Sequence, residues 1–69
     1  MTIEILSMRM IRQFEGQAVE VNGRIDGNVI HTIFIPEEEF VEEASSEAQA
    51  ALAVARLQDR HERYLAIRN

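Results

Sequence analysis

Between Gln17 and Ile25 apolar and polar residues alternate: Val19, Val21 and Ile25 share one parity, while Glu20, Asn22 and Arg24 share the other. Successive side chains of a strand point to opposite faces, so this pattern predicts a half-buried strand over 17–25. Asp26, Gly27 and Asn28 follow, a cluster able to supply the positive φ angles of a tight turn, and residues 29–35 then read as the next strand. Asn22 and Gly23 form a rival turn that would change the register completely. The later turn is preferred because it leaves two strands of similar length. In the opening segment Ile3 and Ile5 alternate as in a strand, whereas Leu6, Met10 and Phe14 lie four apart as in a helix. Taken as a strand over 2–14 and joined to the next by Glu15 and Gly16, this segment completes a three-stranded antiparallel β-meander.

Beyond Pro36 the pattern changes period. Residues 37–67 are dominated by Glu, Ala, Arg, Leu and Gln, all strong helix formers. Pro36 suits a helix start, the acids behind it complement the positive end of the helix dipole, and Arg56, Arg60, Arg63 and Arg68 lie toward the negative end. An unbroken helix over 37–67 would be about 46 Å long, longer than so small a domain is wide. Ser45 and Ser46 offer a break, with Ser46 as N-cap and Gln49 three residues on completing a capping box. The predicted fold is therefore α+β: one domain over 1–69, a meander followed by one long helix or two helices broken near Ser45/Ser46. Ala48, Ala50, Ala51, Leu52, Ala53, Val54 and Ala55 are apolar around the whole helix, which implies two packing partners. A stripe of Val54, Leu57, His61, Tyr64 and Leu65 either packs on the sheet or pairs two copies. The expected interface of a homo-oligomer comprises Ala50, Val54, Leu57, His61 and Tyr64.

Length makes that second possibility important, because a 69-residue core is marginal for independent stability. Apolar residues at 46% place the chain well away from intrinsic disorder. The absence of cysteine removes disulfides and thiolate metal sites as staples, and fits a reducing compartment. Residues 1–10 include Glu4 and lack a basic leader or a continuous apolar stretch, so a cytoplasmic location is expected, with no membrane association.

Charge sharpens the picture further. Glu37, Glu38, Glu39, Glu42, Glu43 and Glu47 contain no base among them, and they account for the net charge of −5: outside the run, six acids face seven arginines. All strong bases are Arg, as coding bias or selection for bidentate guanidinium contacts would produce.

Catalytic and metal chemistry finds little support. His61 and Glu62 begin like a zinc-protease helix, but position 65 is Leu where the second His is required. His31 and His61 are the only histidines, so a zinc site would need carboxylates that no spacing nominates. Asp26, Gly27 and Asn28 are a fragment of a calcium loop, and the three glycines form no phosphate-binding arrangement. No cofactor, no metal and no catalytic residue is therefore expected. A pI near 4.9 opposes direct nucleic-acid binding, although Arg9, Arg12 and Arg24 form a local basic strip.

What remains is the acidic run. On one helix, Glu38 and Glu42, Glu39 and Glu43, and Glu43 and Glu47 would stack four apart, repelling by a few tenths of a kcal/mol per pair. Such a ridge competes for a basic groove built to hold DNA or RNA. In size and charge the chain resembles small, acidic, cysteine-free inhibitors encoded by phage, including anti-CRISPR and anti-restriction proteins. The expected function is thus a non-enzymatic binding protein whose partner is a basic surface of a nucleic-acid-processing complex, acting in the host cytoplasm if phage-encoded. A homo-oligomeric accessory domain and an antitoxin-like regulator are the alternatives.

Overall fold

The computed structural model describes residues 1–13, 15–43 and 45–68. Strands β1 (Ile3–Gln13), β2 (Gly16–Ile25) and β3 (Val29–Pro36) form an antiparallel sheet in the order β1-β2-β3, followed by α1 (Glu37–Val41) and α2 (Ser46–Arg68). The meander and the C-terminal helical region agree with the sequence reading, and Phe14, placed at the end of the first strand, lies outside the described residues. The helical alternative for the opening segment does not hold. Its mixed spacing has a physical origin, a β-bulge between Ile5 and Ser7 that leaves Leu6 without a register partner. Before the bulge Ile3 and Ile5 lie opposite Ile25 and Gly23, while after it Met8 and Met10 lie opposite Val21 and Val19, so the inward parity switches from odd to even.

The Asn22–Gly23 turn does not form either. Asn22 pairs with Ser7 and Thr32, and Gly23 with Ile5 and His31, in the middle of the sheet. The chain reverses at Asp26 and Gly27, with φ of 51° and 78°, and the Asn28 N–H donates to the Ile25 carbonyl at 3.2 Å. That turn also holds the first residues: the Asp26 N–H donates to the Thr2 carbonyl and the Thr2 N–H to Asp26 Oδ1, each at 2.8 Å.

One sheet face carries the core. Val19, Val21 and Ile25 of β2 and Ile35 of β3 are buried against Ala53 and Leu57 of α2, with Ile3, Ile5, Val29, Ile33, Phe40 and Leu52 packed around them. Leu57 lies directly over Gly23, where an added Cβ would stand 2.5 Å from Leu57 Cδ1. The outer face is polar at its centre: Arg9 pairs with Glu20 at 2.9 Å, Asn22 donates to Ser7 at 3.0 Å, and Thr32 donates to Asn22. The molecule is therefore a two-layer slab of 34 × 27 × 16 Å, and its 12.3 Å radius of gyration exceeds the roughly 11 Å typical of 69 residues.

The helical region is broken where the serines stand, but one residue earlier than expected. Ser45 Oγ accepts the Ala48 N–H at 3.1 Å, making Ser45 rather than Ser46 the N-cap of α2. The Gln49 side chain, expected to close a capping box, instead reaches across the break and donates to the Phe40 carbonyl at 3.5 Å. Ser45→Ala will lower stability by about 1 kcal/mol, read from urea unfolding midpoints, whereas Ser46→Ala will leave the midpoint nearly unchanged; the reverse order would reinstate Ser46 as the cap. Past His61 the helix buries no further residue, and Tyr64, Leu65 and Ile67 are exposed.

Candidate functional site

The acidic run sits on two short stretches of backbone rather than one helix. Glu37, Glu38 and Glu39 occupy the first turn of α1, Glu42 is its C-cap, Glu43 follows with its N–H donated to the Phe40 carbonyl, and Glu47 lies in the first turn of α2. The continuous i, i+4 ridge is thus corrected. Glu38 and Glu42 remain one helical turn apart, but α1 ends at Val41 and the Glu43–Glu47 pair straddles the break. Breaking the helix relieves some of the like-charge stacking that a single helix would impose. Glu39 is separated from the others functionally, because it forms a half-exposed ion pair with Arg56 of α2. Among the described residues, Glu37, Glu38, Glu42, Glu43 and Glu47 have no cationic partner within 4.0 Å.

Phe40 packs on the core cluster, Glu39 is tied to Arg56, and the Gln49 side chain donates to the Phe40 carbonyl, and these contacts hold the acidic segment in place. The acidic surface also extends beyond the run, since Glu38 and Glu15 line one groove of about 220 Å³ with Gln13, Gly16, Gln17 and Pro36. In the sequence Glu15 reads only as part of the β1–β2 connection, because it lies 23 positions before Glu38 and the return of β3 beside that turn brings them together.

The expected oligomer interface is largely consumed within one chain. Leu57 is fully buried and His61 is 6% exposed, both beneath α2 against the sheet, so neither offers surface to a second copy. Ala50 and Val54 are half-buried flanking positions, and Tyr64 stands at the exposed end of the helix. The stripe packs on the chain's own sheet because Gly23 leaves a hollow that Leu57 fills.

His61 has a specific partner that its neighbours in sequence do not reveal. His31 projects from β3 opposite Gly23, and its Nε2 lies 3.1 Å from His61 Nδ1 in a buried hydrogen bond. Tyr64 packs against both rings, with centroids 5.2 Å from His31 and 5.9 Å from His61. Burial, the adjacent His61 and the Arg60 guanidinium together push the His31 pKa below its ordinary value. The bond requires one ring nitrogen to donate and the other to accept, so at least one of the two rings must be neutral, since two imidazolium rings would offer only donors. Among the described residues no cluster of three potential His, Cys, Asp or Glu ligands forms, around this pair or elsewhere.

A second charged surface was read in the sequence only as compensation for the helix dipole. Arg56, Arg60 and Arg63, with Asp59, flank a groove of about 280 Å³ whose other wall is Thr32, Ile33 and Phe34 of β3. Their spacing on one helix flank was legible; their position beside a sheet edge was not. No helix of the described residues is long and apolar enough to cross a membrane. Comparison of the chain with protein families, with curated proteins and with solved structures finds no match in any of the three.

Proposed function

We propose that this is a non-enzymatic binding protein that presents the Glu37–Glu47 segment to a basic protein surface, of the kind that nucleic-acid-processing complexes build for phosphates. It would act in the cytoplasm, that of the host if the chain is phage-encoded. The observation that carries this reading is a set of carboxylates without a cationic partner among the described residues: Glu37, Glu38, Glu42 and Glu43 on a segment anchored by Phe40 and the Glu39–Arg56 pair, with Glu47 across the break on α2. Anchoring matters because a charged segment already fixed in place loses less conformational freedom on binding than a flexible tail. Electrostatic complementarity of this sort raises the association rate and orients the encounter.

The test is the combined replacement of Glu37, Glu38, Glu42 and Glu43 by Gln, which leaves the Glu39 anchor intact. Affinity capture from the source cell at low salt, with the unsubstituted protein as bait, will retain a basic-surfaced protein, and the four-Gln variant will lose it. Equal retention by both baits would end this proposal.

A second reading, homo-oligomerisation, is favoured by one observation. The chain exposes 4905 Å², against about 4,400 Å² expected for 7.9 kDa, and Leu6, Met8 and Met10 are exposed along edge strand β1. In the same experiment, self-association without any captured partner would support this reading over the first.

A further inference from the structure

We propose that the free edge of β3 and the arginine flank of α2 form a second binding site, one that takes an extended peptide carrying acidic residues at every other position. The site shares Arg56 with the anchor of the acidic segment, and its test rests on Arg60 and Arg63, which pair with no carboxylate of the acidic run among the described residues, so it stands or falls independently of it.

The argument begins with sheet order. β3 is an outer strand, so its far edge carries backbone N–H and C=O groups that the sheet does not pair. An edge of this kind accepts a further strand through main-chain hydrogen bonds, while side-chain pockets on either face supply specificity. Here the two faces differ sharply. On the helix side the groove beside Ile33 is walled by Arg56, Arg60 and Arg63. On the outer side Ile30 and Phe34 are 60% and 47% exposed, with Thr32 between them. A strand added along this edge would therefore direct alternate side chains toward guanidinium groups and the intervening ones toward an apolar strip.

The arginines are not equally engaged. Arg56 holds Glu39, and Arg63 holds Asp59 at 3.1 Å in an exposed pair, whereas Arg60 has no carboxylate within 4.0 Å among the described residues. Arg56, Arg60 and Arg63 all line the groove beside Ile33, so more than one guanidinium faces a strand added there. Guanidinium groups suit the role, because they bind carboxylates bidentately.

Charge complementarity also selects against other occupants. A second copy could offer β1 as the added strand, but β1 carries Arg9 and Arg12 against a single Glu4, which would set arginine against arginine. The chain's own acidic run is helical over Glu37–Val41 and cannot add as a strand in that form. Single-stranded nucleic acid has no backbone N–H and C=O ladder with which to pair the β3 edge, so it would forgo the main-chain hydrogen bonds that an added peptide strand makes there.

The probe is a fluorescein-labelled peptide of alternating Glu and Val with the length of β3, 8 residues. Fluorescence anisotropy will show binding that weakens about tenfold or more in R60E/R63E, while circular dichroism confirms that this variant is folded. Amide exchange will show new protection at β3, and N-methylation of the peptide at its inward-facing amides will abolish binding without altering the protein. A peptide of the same composition in two blocks, a Lys-Val alternating peptide and an oligothymidylate are the comparisons. Equal binding of the block peptide, insensitivity to N-methylation, or tighter binding of the oligothymidylate would overturn the proposal. Self-association competing with the peptide would also overturn it, by assigning the edge to a second copy.

Discussion

Leu57→Ala will destabilise the fold by about 2–5 kcal/mol, a large part of the roughly 3.5–10 kcal/mol expected for a domain of 69 residues. Leu57 is fully buried at the centre of a core with few members, and α2 is attached to the sheet through it, Ala53, Leu52 and the buried His61–His31 bond. The partner position gives the more discriminating result. Gly23→Ala in a strand interior ordinarily stabilises slightly, because glycine loses more conformational freedom on folding. Here the added methyl would lie 2.5 Å from Leu57 Cδ1, 3.0 Å from Cδ2 and 3.3 Å from Cγ, and a buried leucine has no open space into which to withdraw. The overlap outweighs the entropic gain, and Gly23→Ala will destabilise by about 1–3 kcal/mol. In the double variant the Gly23→Ala methyl enters space vacated by Leu57, so its loss of stability will be smaller than the sum of the two single losses. Urea unfolding of the four proteins measures this coupling, and strict additivity would mean that helix and sheet do not meet as described.

Stability will also fall as the solution is acidified through the histidine range. The unfolded chain protonates His31 near its ordinary value of about 6.5, while in the folded chain burial, His61 and Arg60 hold that pKa lower. Within the interval between the two values the unfolded state binds more protons, so stability is fully present above about pH 6.5 and diminishes as pH falls through the lowered pKa. The slope reaches at most about 1.4 kcal/mol per pH unit for this one group. A proton on His31 places a cation in a buried site beside His61 and the Arg60 guanidinium, with Tyr64 as the other titratable neighbour. His31→Leu will flatten the dependence between about pH 7 and 5 and lower the plateau, because a buried His61 nitrogen loses its partner. Unfolding midpoints across that range check both effects. A midpoint that rises on acidification would contradict the arrangement of the pair.

Much of this architecture was legible because local and global signals agree. The alternation in β2 reports a central strand with one buried face, and Asp26-Gly27-Asn28 supplies the positive φ angles that its turn requires. The break near the serines follows from their capping chemistry, although Ser45 and Ser46 are too alike for pattern alone to choose between them. Other features were hidden for identifiable reasons. In β1 a single unpaired residue, Leu6, reverses inward parity and makes a strand look partly helical. Asn22-Gly23 resembles a hairpin turn, yet Gly23 is there to admit Leu57, a contact between residues 34 positions apart. The His31–His61 bond joins β3 to α2 over a separation of 30 residues, and no local period encodes it. The same pairing of distant elements places Arg60 beside Phe34 and Glu38 beside Glu15.

The chain therefore exposes two surfaces of opposite sign. Among the described residues, Glu37, Glu38, Glu42 and Glu43 on and beside α1, with Glu47 at the start of α2, have no cationic partner, and an arginine-walled groove lies beside β3. The claim that charge on the first surface drives recognition is tested most directly by the association rate of the captured basic partner as ionic strength rises to about 0.5 M, where screening shortens electrostatic reach to a few ångströms. The rate will fall steeply with salt for the unsubstituted protein and will be slow and nearly flat for the four-Gln variant. An association rate independent of salt, or the same for both proteins, would contradict the account.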